Sequence, residues 1–237
     1  MKAILLAAGV GSRIAKDNGA IPKSLMLVGG QSILLHTVEL LLKNGMEVVV
    51  VTGYRHTMIE EALKEYPVKI VYNPFYAVTN SIGSLWMARD EFDAEELFLA
   101  NADVYYTQAM LDRIKTAPYD QFLLSDATRA DHGDYFFLTC NNVLNRYGKE
   151  LRRDERNCEY VGIGIVRNRW VKAFHDRLCK MIEDGQYNLW WENVLYSFVG
   201  EENIYTYDVD GVFWSEVDTI EDYHRVLAYC TEQIKPV

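Results

Sequence analysis

Gly9, Gly11, Ser12 and Arg13 follow directly on the apolar run Ala3–Ala8, and Lys23 stands further on, behind Pro22. Glycines at a strand end let backbone N–H groups approach a ligand closely, and an arginine adds a fork of donors that matches phosphate oxygens. The loop therefore suits an anion. Lys23 adds a mobile cation, and Pro22 stiffens the chain in front of it. The spacing is neither a Walker A loop nor a three-glycine dinucleotide fingerprint, so the glycines alone are a weak signal.

A second set of residues is acidic. Asp103 leaves the apolar strand "LFLANA", and Asp218 lies in "EVDT" after another apolar run. Two carboxylates at the carboxyl edge of an open α/β sheet could hold one Mg²⁺, which uses one or two carboxylates together with phosphate oxygens and water. Each aspartate also reads as a turn or helix cap. Glu192 sits beside Trp190 and Trp191, and Glu216 beside Trp214. Indole faces with carboxylates suit a small ammonium group, although tryptophans at such spacing also serve as core. Tyr160 and Glu159 are candidates of the same kind. Asn80 and Ser84 could reach a phosphate, and Asn80 equally reads as a helix cap. His36, His56, His132, His175 and His224 form no cluster, and Cys140, Cys158, Cys179 and Cys230 have no metal-ligand spacing.

The elements that must carry these residues alternate. Apolar runs at Ala3–Ala8, "MEVVVVTGY", "VKIVYN", "ELFLANAD" and "QFLLSD" read as strands, and helical spacing over 32–43, 57–65, 82–91 and 108–115 places helices between them. This order predicts an α/β fold with a mixed, mostly parallel sheet flanked by helices on both faces. In the second half "DYFFLTCNN", "VGIGIVRN" and "NIYTYDV" read as strands, with helices over 169–184, 190–198 and 220–234 and a polar, Arg- and Asp-rich stretch between the first two strands. We expect one domain over 1–237, with a nucleotide-binding core (1–130) and a sheet-completing, acceptor-binding part (131–237).

Composition narrows the partners. With 49% hydrophobic and 24% charged residues the chain has no signature of disorder, and a net charge of -10 disfavours nucleic acid. No apolar stretch reaches membrane-spanning length, the first one is too short for a signal-peptide core, and the unpaired cysteines suit a reducing compartment. A cytoplasmic protein without membrane contact is expected.

The combination "LLAAGVGSR" followed by "IPKSLMLVGGQSIL" resembles the signature of the sugar-nucleotide type nucleotidyltransferases, although "IAKDNGA" replaces their common L-x-P-L-T. "NPFYAVTNSIGSLWMARD", "LANADVYY", "EYVGIGIV", "LWWENVLY" and "FWSEVDTIEDY" then resemble, in order and over essentially the whole chain, the cytidylyltransferases that act on phosphocholine or 2-aminoethylphosphonate. The resemblance implies a Rossmann-like core whose Leu6, Ala7, Ala8, Gly9, Gly11, Ser12, Arg13, Lys23, Asn80 and Ser84 hold CTP. It makes Lys23, Arg13, Asp103 and Asp218 catalytic, with Mg²⁺ on the two aspartates. It places the acceptor amine among Tyr160, Trp190, Trp191, Glu192, Trp214 and Glu216. The implied reaction moves CMP from CTP to an amine-bearing phosphate or phosphonate with release of pyrophosphate, and a homodimer is a further implication. The rivals are a sugar-1-phosphate nucleotidyltransferase and an inactive nucleotide-binding regulatory subunit.

Overall fold

The computed structural model describes residues 1–11 and 21–234. Strand β1 (Lys2–Ala7) is buried along its length, with Ala3, Leu5 and Ala7 on one face of the sheet and Ile4 and Leu6 on the other. A strand covered on both faces has no polar side to alternate with, which is why the run reads as continuous. A single 3-10 turn (Lys23–Leu25) and the small hairpin β2 (Leu27–Val28) and β3 (Gln31–Ser32) lead into helix α1 (Ile33–Lys43). Ser32 caps that helix, its hydroxyl accepting from the Leu35 amide at 3.3 Å. There follow β4 (Glu47–Thr52), α2 (His56–Leu63), β5 (Val68–Tyr72), α3 (Ser81–Met87), β6 (Glu96–Asn101), β7 (Val104–Tyr106), α4 (Gln108–Lys115) and β8 (Gln121–Asp126). The rest of the chain adds β9 (Phe136–Cys140), β10 (Val143–Gly148), β11 (Cys158–Arg167), α5 (Arg169–Glu183), α6 (Asn193–Tyr196), β12 (Tyr205–Asp208), β13 (Trp214–Glu216) and α7 (Ile220–Ile234).

The nine-stranded sheet runs β5-β4-β1-β6-β11-β8-β12-β10-β9. Only β10 and β11 oppose the common direction, so the sheet is mixed with most strands parallel. One face is packed by α1, α2 and α4 through Leu34, Val38, Leu41, Ile59, Leu63, Met110 and Ile114. The opposite face is packed by α3 and α5 through Ile82, Leu85, Trp170, Phe174 and Leu178. Among the described residues no helix is long and apolar enough to cross a membrane.

Two departures from the sequence reading bear on the site. The polar stretch after Cys140 contains β10, which forms a hairpin with β9; only Leu144 in it is buried, so it carries no apolar pattern to read. Residues 190–198 hold a helix only at Asn193–Tyr196. The chain before it is instead tied down at the start of α3, where the Trp191 amide donates to Ser81 Oγ at 2.9 Å and the Ile82 amide to the Leu189 carbonyl at 3.2 Å.

Strand β11 changes course between Tyr160 and Gly164, where its register against β8 shifts. Gly162, at φ +87°, makes that bend possible, and a Cβ there would fall 2.8 Å from Val104 Cγ2. Gly164, two residues on, leaves room for Trp191: a Cβ there would lie 2.8 Å from Trp191 Cη2 and 3.0 Å from Leu123 Cδ2. Trp191 is fully buried and its indole N–H is bonded to Asn101, so it has little freedom to yield. Gly164→Ala is therefore expected to cost about 1–3 kcal/mol by overpacking. The check is a lower urea midpoint at unchanged slope; a midpoint at or above that of the parent would show that the sheet gives way at this point.

Candidate active site

The carboxyl ends of β1 and β6 open onto a cleft of about 380 Å³. One end is walled by Leu6, Ala7, Ala8, Gly9 and Gly11 after β1, by Lys23 and Ser24, and by Asn80, Ser81 and Ser84 at the start of α3. Gly11, at φ +63°, lies against the Lys23 side chain so closely that a Cβ would meet its Cγ at 2.8 Å. Glycine is required there on both counts. Asn80 combines the two roles read from sequence: its side chain caps α3, accepting from the Ser81 amide at 2.7 Å, and it lines the cleft. Ser84 is buried on the cleft wall and accepts from Asn73 Nδ2 at 3.0 Å. Ser12 and Arg13 lie outside the described residues.

In the middle of the cleft three carboxylates meet one ammonium. The short ribbon of β7 and β13 sets Glu216 opposite Val104, and the Val217 amide donates to the Asp103 carbonyl at 3.0 Å, so residues from both halves of the chain converge. Lys23 Nζ is 2.7 Å from Asp103 Oδ2 and also contacts Asp218. Oxygens of Asp103, Glu216 and Asp218 lie within 4.8 Å of one another. Burial alone would lower the Lys23 pKa, but the two aspartates outweigh it and hold the ammonium above its ordinary range. Glu216 is driven the other way: burial first, then the Asp103 and Asp218 charges, raise its carboxyl well above the usual range. Among the described residues three acidic side chains thus meet one cationic one. Hard oxygen donors at this spacing fit a divalent cation such as Mg²⁺, and the lysine ammonium between Asp103 and Asp218 shows that the geometry accepts a cation.

At the far end the wall is aromatic. Tyr135, Tyr160, Trp190 and Tyr196 surround Glu192, with Asp134 and Lys149 at the rim. Tyr135 meets Trp190 at right angles, with centroids 5.6 Å apart. Burial raises the Glu192 carboxyl to about 7, while its own backbone, Tyr160 and Asn101 pull it back. Glu159 is committed to the framework, accepting from the Asp134 amide at 2.8 Å and pairing with Arg129 at 2.7 Å.

Trp190 thus stands on the cleft, but Trp191 and Trp214 do not. Trp191 lies in the core behind it, its indole N–H donating to Asn101 Oδ1 at 3.0 Å. Trp214 is buried with its indole N–H on Asp126 Oδ2 at 2.8 Å and the Arg129 guanidinium over its ring. Trp191 thereby supports Asn101, and Trp214, through Arg129, supports Glu159; Asn101 and Glu159 both line the cleft. Sequence reasoning missed Asn101, Tyr135, Lys149 and Tyr196. Tyr196 follows Glu192 by one helical turn, a spacing that could have singled it out. Tyr135 and Lys149 reach the cleft through the β9–β10 hairpin, whose pairing has no local signal.

Residues 3–157 match the MobA-like NTP transferase domain. The chain belongs to that family. It is similar to the choline-phosphate cytidylyltransferase of Haemophilus influenzae, 27% identical over 98% of both chains. It is also similar to the CMP-5'-(3-aminopropyl)phosphonate synthase of Streptomyces rubellomurinus, 38% identical over 95% of this chain and 38% of that protein. Among solved structures, the CTP:phosphocholine cytidylyltransferase of Streptococcus pneumoniae superposes with a TM-score of 0.77 at 20% identity, covering 96% of this chain and 98% of that one, and so shares the fold. The cleft carries its carboxylate cluster where strands from both halves of the sheet meet.

The crowding of acids makes a prediction about stability. A carboxyl whose folded pKa is raised weakens the fold above that pKa, and the cost vanishes below the ordinary carboxylate range. Glu216→Gln should therefore raise the melting temperature at neutral pH in metal-free buffer by roughly 2–4 °C, about 1 kcal/mol for a chain of this size. The gain should fade as the pH is lowered toward 4. A lower melting temperature at neutral pH would show that the three acids do not repel one another as described.

Proposed function

We propose that the protein is a cytidylyltransferase that moves CMP from CTP to a small amine-bearing phosphate or phosphonate, phosphocholine or 2-aminoethylphosphonate in type, and releases pyrophosphate. The observation that carries this reading is the junction of two unlike subsites in one cleft: a glycine-lined strand end with Lys23 and acids, and an aromatic pocket closed by Glu192. The relatives named above are a choline-phosphate cytidylyltransferase, a CMP-5'-(3-aminopropyl)phosphonate synthase and a CTP:phosphocholine cytidylyltransferase, which agrees with the pocket. A sugar pocket would instead present several neutral hydrogen-bonding groups.

In the reaction an acceptor oxygen attacks the α-phosphorus of CTP in line, a new P–O bond forms, and the bond to the bridging oxygen of the leaving pyrophosphate breaks. The acceptor needs no protein base, because the second pKa of a phosphate is near 6 and the attacking oxygen is already largely ionised at neutral pH. The residues accordingly work by positioning and charge. The backbone from Leu6 to Gly11, with Asn80 and Ser84, holds the nucleotide, and Arg13 and Lys23 neutralise the phosphates. Lys23 must leave its aspartate partners at least in part to do so. Asp103 and Asp218, with Glu216 beside them, would hold Mg²⁺, which supplies charge neutralisation at the phosphates when bound. Glu192, Tyr160 and Trp190 hold the acceptor's amine and so aim its other end at the phosphorus. On this reading residues 1–130 carry the nucleotide and 131–237 the acceptor, in one domain.

The test is pyrophosphate release from CTP with Mg²⁺, offering phosphocholine and 2-aminoethylphosphonate separately and glucose-1-phosphate as control. Release with an amine acceptor supports the reading, and release with the sugar phosphate alone replaces it by a sugar-1-phosphate nucleotidyltransferase. Nucleotide binding with no turnover would indicate a regulatory subunit. Asp103→Asn should lower turnover on the order of a hundredfold or more while the melting curve stays cooperative. Near-normal turnover in that variant would remove Asp103 from the metal site.

A further inference from the structure

The far end of the cleft offers hydrogen-bond acceptors where a cage for a methylated cation would offer ring faces. Tyr160 and Tyr196 are buried, both line the cleft, and neither hydroxyl has a hydrogen-bond partner among the described residues. A buried hydroxyl left unpartnered is costly, and in a ligand cleft its missing partner is the ligand. Glu192 is buried as well, and its charge acts on both rings, with the Tyr160 hydroxyl directed at it and the Tyr196 hydroxyl beside Tyr135.

The ring faces, by contrast, are already engaged. Tyr196 stacks on Tyr147 with centroids 4.1 Å apart and lies parallel to Tyr135 at 6.1 Å. Tyr160 leans on Phe137 at 5.3 Å. The Lys149 ammonium sits over a Trp190 face, 5.7 Å from the ring centroid, held by Asp134 at 2.6 Å. This chain's own lysine therefore takes one cation–π position on the ring that is most exposed at this end of the cleft.

From this arrangement of two orphan hydroxyls near a buried carboxylate, with a lysine already over the exposed indole, we infer that the acceptor carries a primary ammonium and that methylated amines are rejected. The inference rests on the cytidylyltransferase reading and names its substrate class. A primary ammonium brings three N–H donors, matching Glu192, Tyr160 and Tyr196, whereas a trimethylammonium brings none and would leave the two hydroxyls as they are, without partners. A site built to hydrogen-bond a group discriminates strongly against the analogue that lacks it. Tyr160 and Tyr196 are thus the specificity-determining residues.

The experiment measures kcat/KM for pyrophosphate release from CTP across an N-methylation series, on both a phosphate and a phosphonate frame. The phosphate series runs from phosphoethanolamine through its mono- and dimethyl derivatives to phosphocholine; the other runs from 2-aminoethylphosphonate to its trimethyl analogue. On whichever frame is used, the primary amine should exceed the trimethyl compound by at least about tenfold, with the decline spread over the series. In Tyr160→Phe and Tyr196→Phe the ratio should shrink, through a higher KM for the primary amine and little change for the trimethyl compound. Equal or better use of the trimethyl compound would overturn the inference and leave the cytidylyltransferase reading standing. Equal losses on both acceptors in the tyrosine variants would also overturn it. Silence with every amine on both frames would overturn the cytidylyltransferase reading, and this inference with it.

Discussion

Three carboxylates held around one ammonium are the constraint on which the rest of the structure turns. Asp103, Glu216 and Asp218 would repel one another apart if the backbone did not hold them, and the backbone does so with a ribbon of three residues a side. The sheet on which that ribbon rests is buried on both faces, so its strand ends cannot shift to relieve the charge. Rigidity built from apolar packing is what allows an electrostatically unfavourable site to persist.

The two ends of the cleft are made by different means. The nucleotide end is local: a strand, a glycine loop, a proline and a lysine close in sequence, with Asn80 and Ser84 from the first turn of one helix. The aromatic end is assembled from three separated segments, the β9–β10 hairpin, the bend of β11, and α6 with the chain before it. Its lining can therefore vary with hairpin and loop residues while the glycine-loop end keeps its form.

That difference also explains how much was legible in the sequence. The strands and helices of the first half follow from continuous apolar runs and helical spacing, and the ranges of α4 and β8 coincide with those read from the chain. Lys23, Asp103 and Asp218 were legible as candidates, but their convergence was not, because β7 and β13 are too short to show a period. The aromatic end was only half visible. Trp190, Trp191 and Trp214 look alike in sequence, and which of them faces the cleft depends on where their indole N–H groups find partners: Asn101 and Asp126 draw two of them into the core. Tyr135 and Lys149 could not be assigned without knowing that an exposed, unpatterned strand pairs with β9.

The ribbon that gathers the acids joins residues more than a hundred positions apart. Contacts of such separation carry a large loop-closure cost and form only after the intervening strands have paired. During synthesis the glycine loop and Lys23 emerge and can fold long before Glu216 and Asp218 leave the ribosome. A nascent or C-terminally truncated chain would therefore possess a nucleotide cradle without its acid cluster. The complete cleft arrives last, as a property of the finished chain, by the order in which the polypeptide is written.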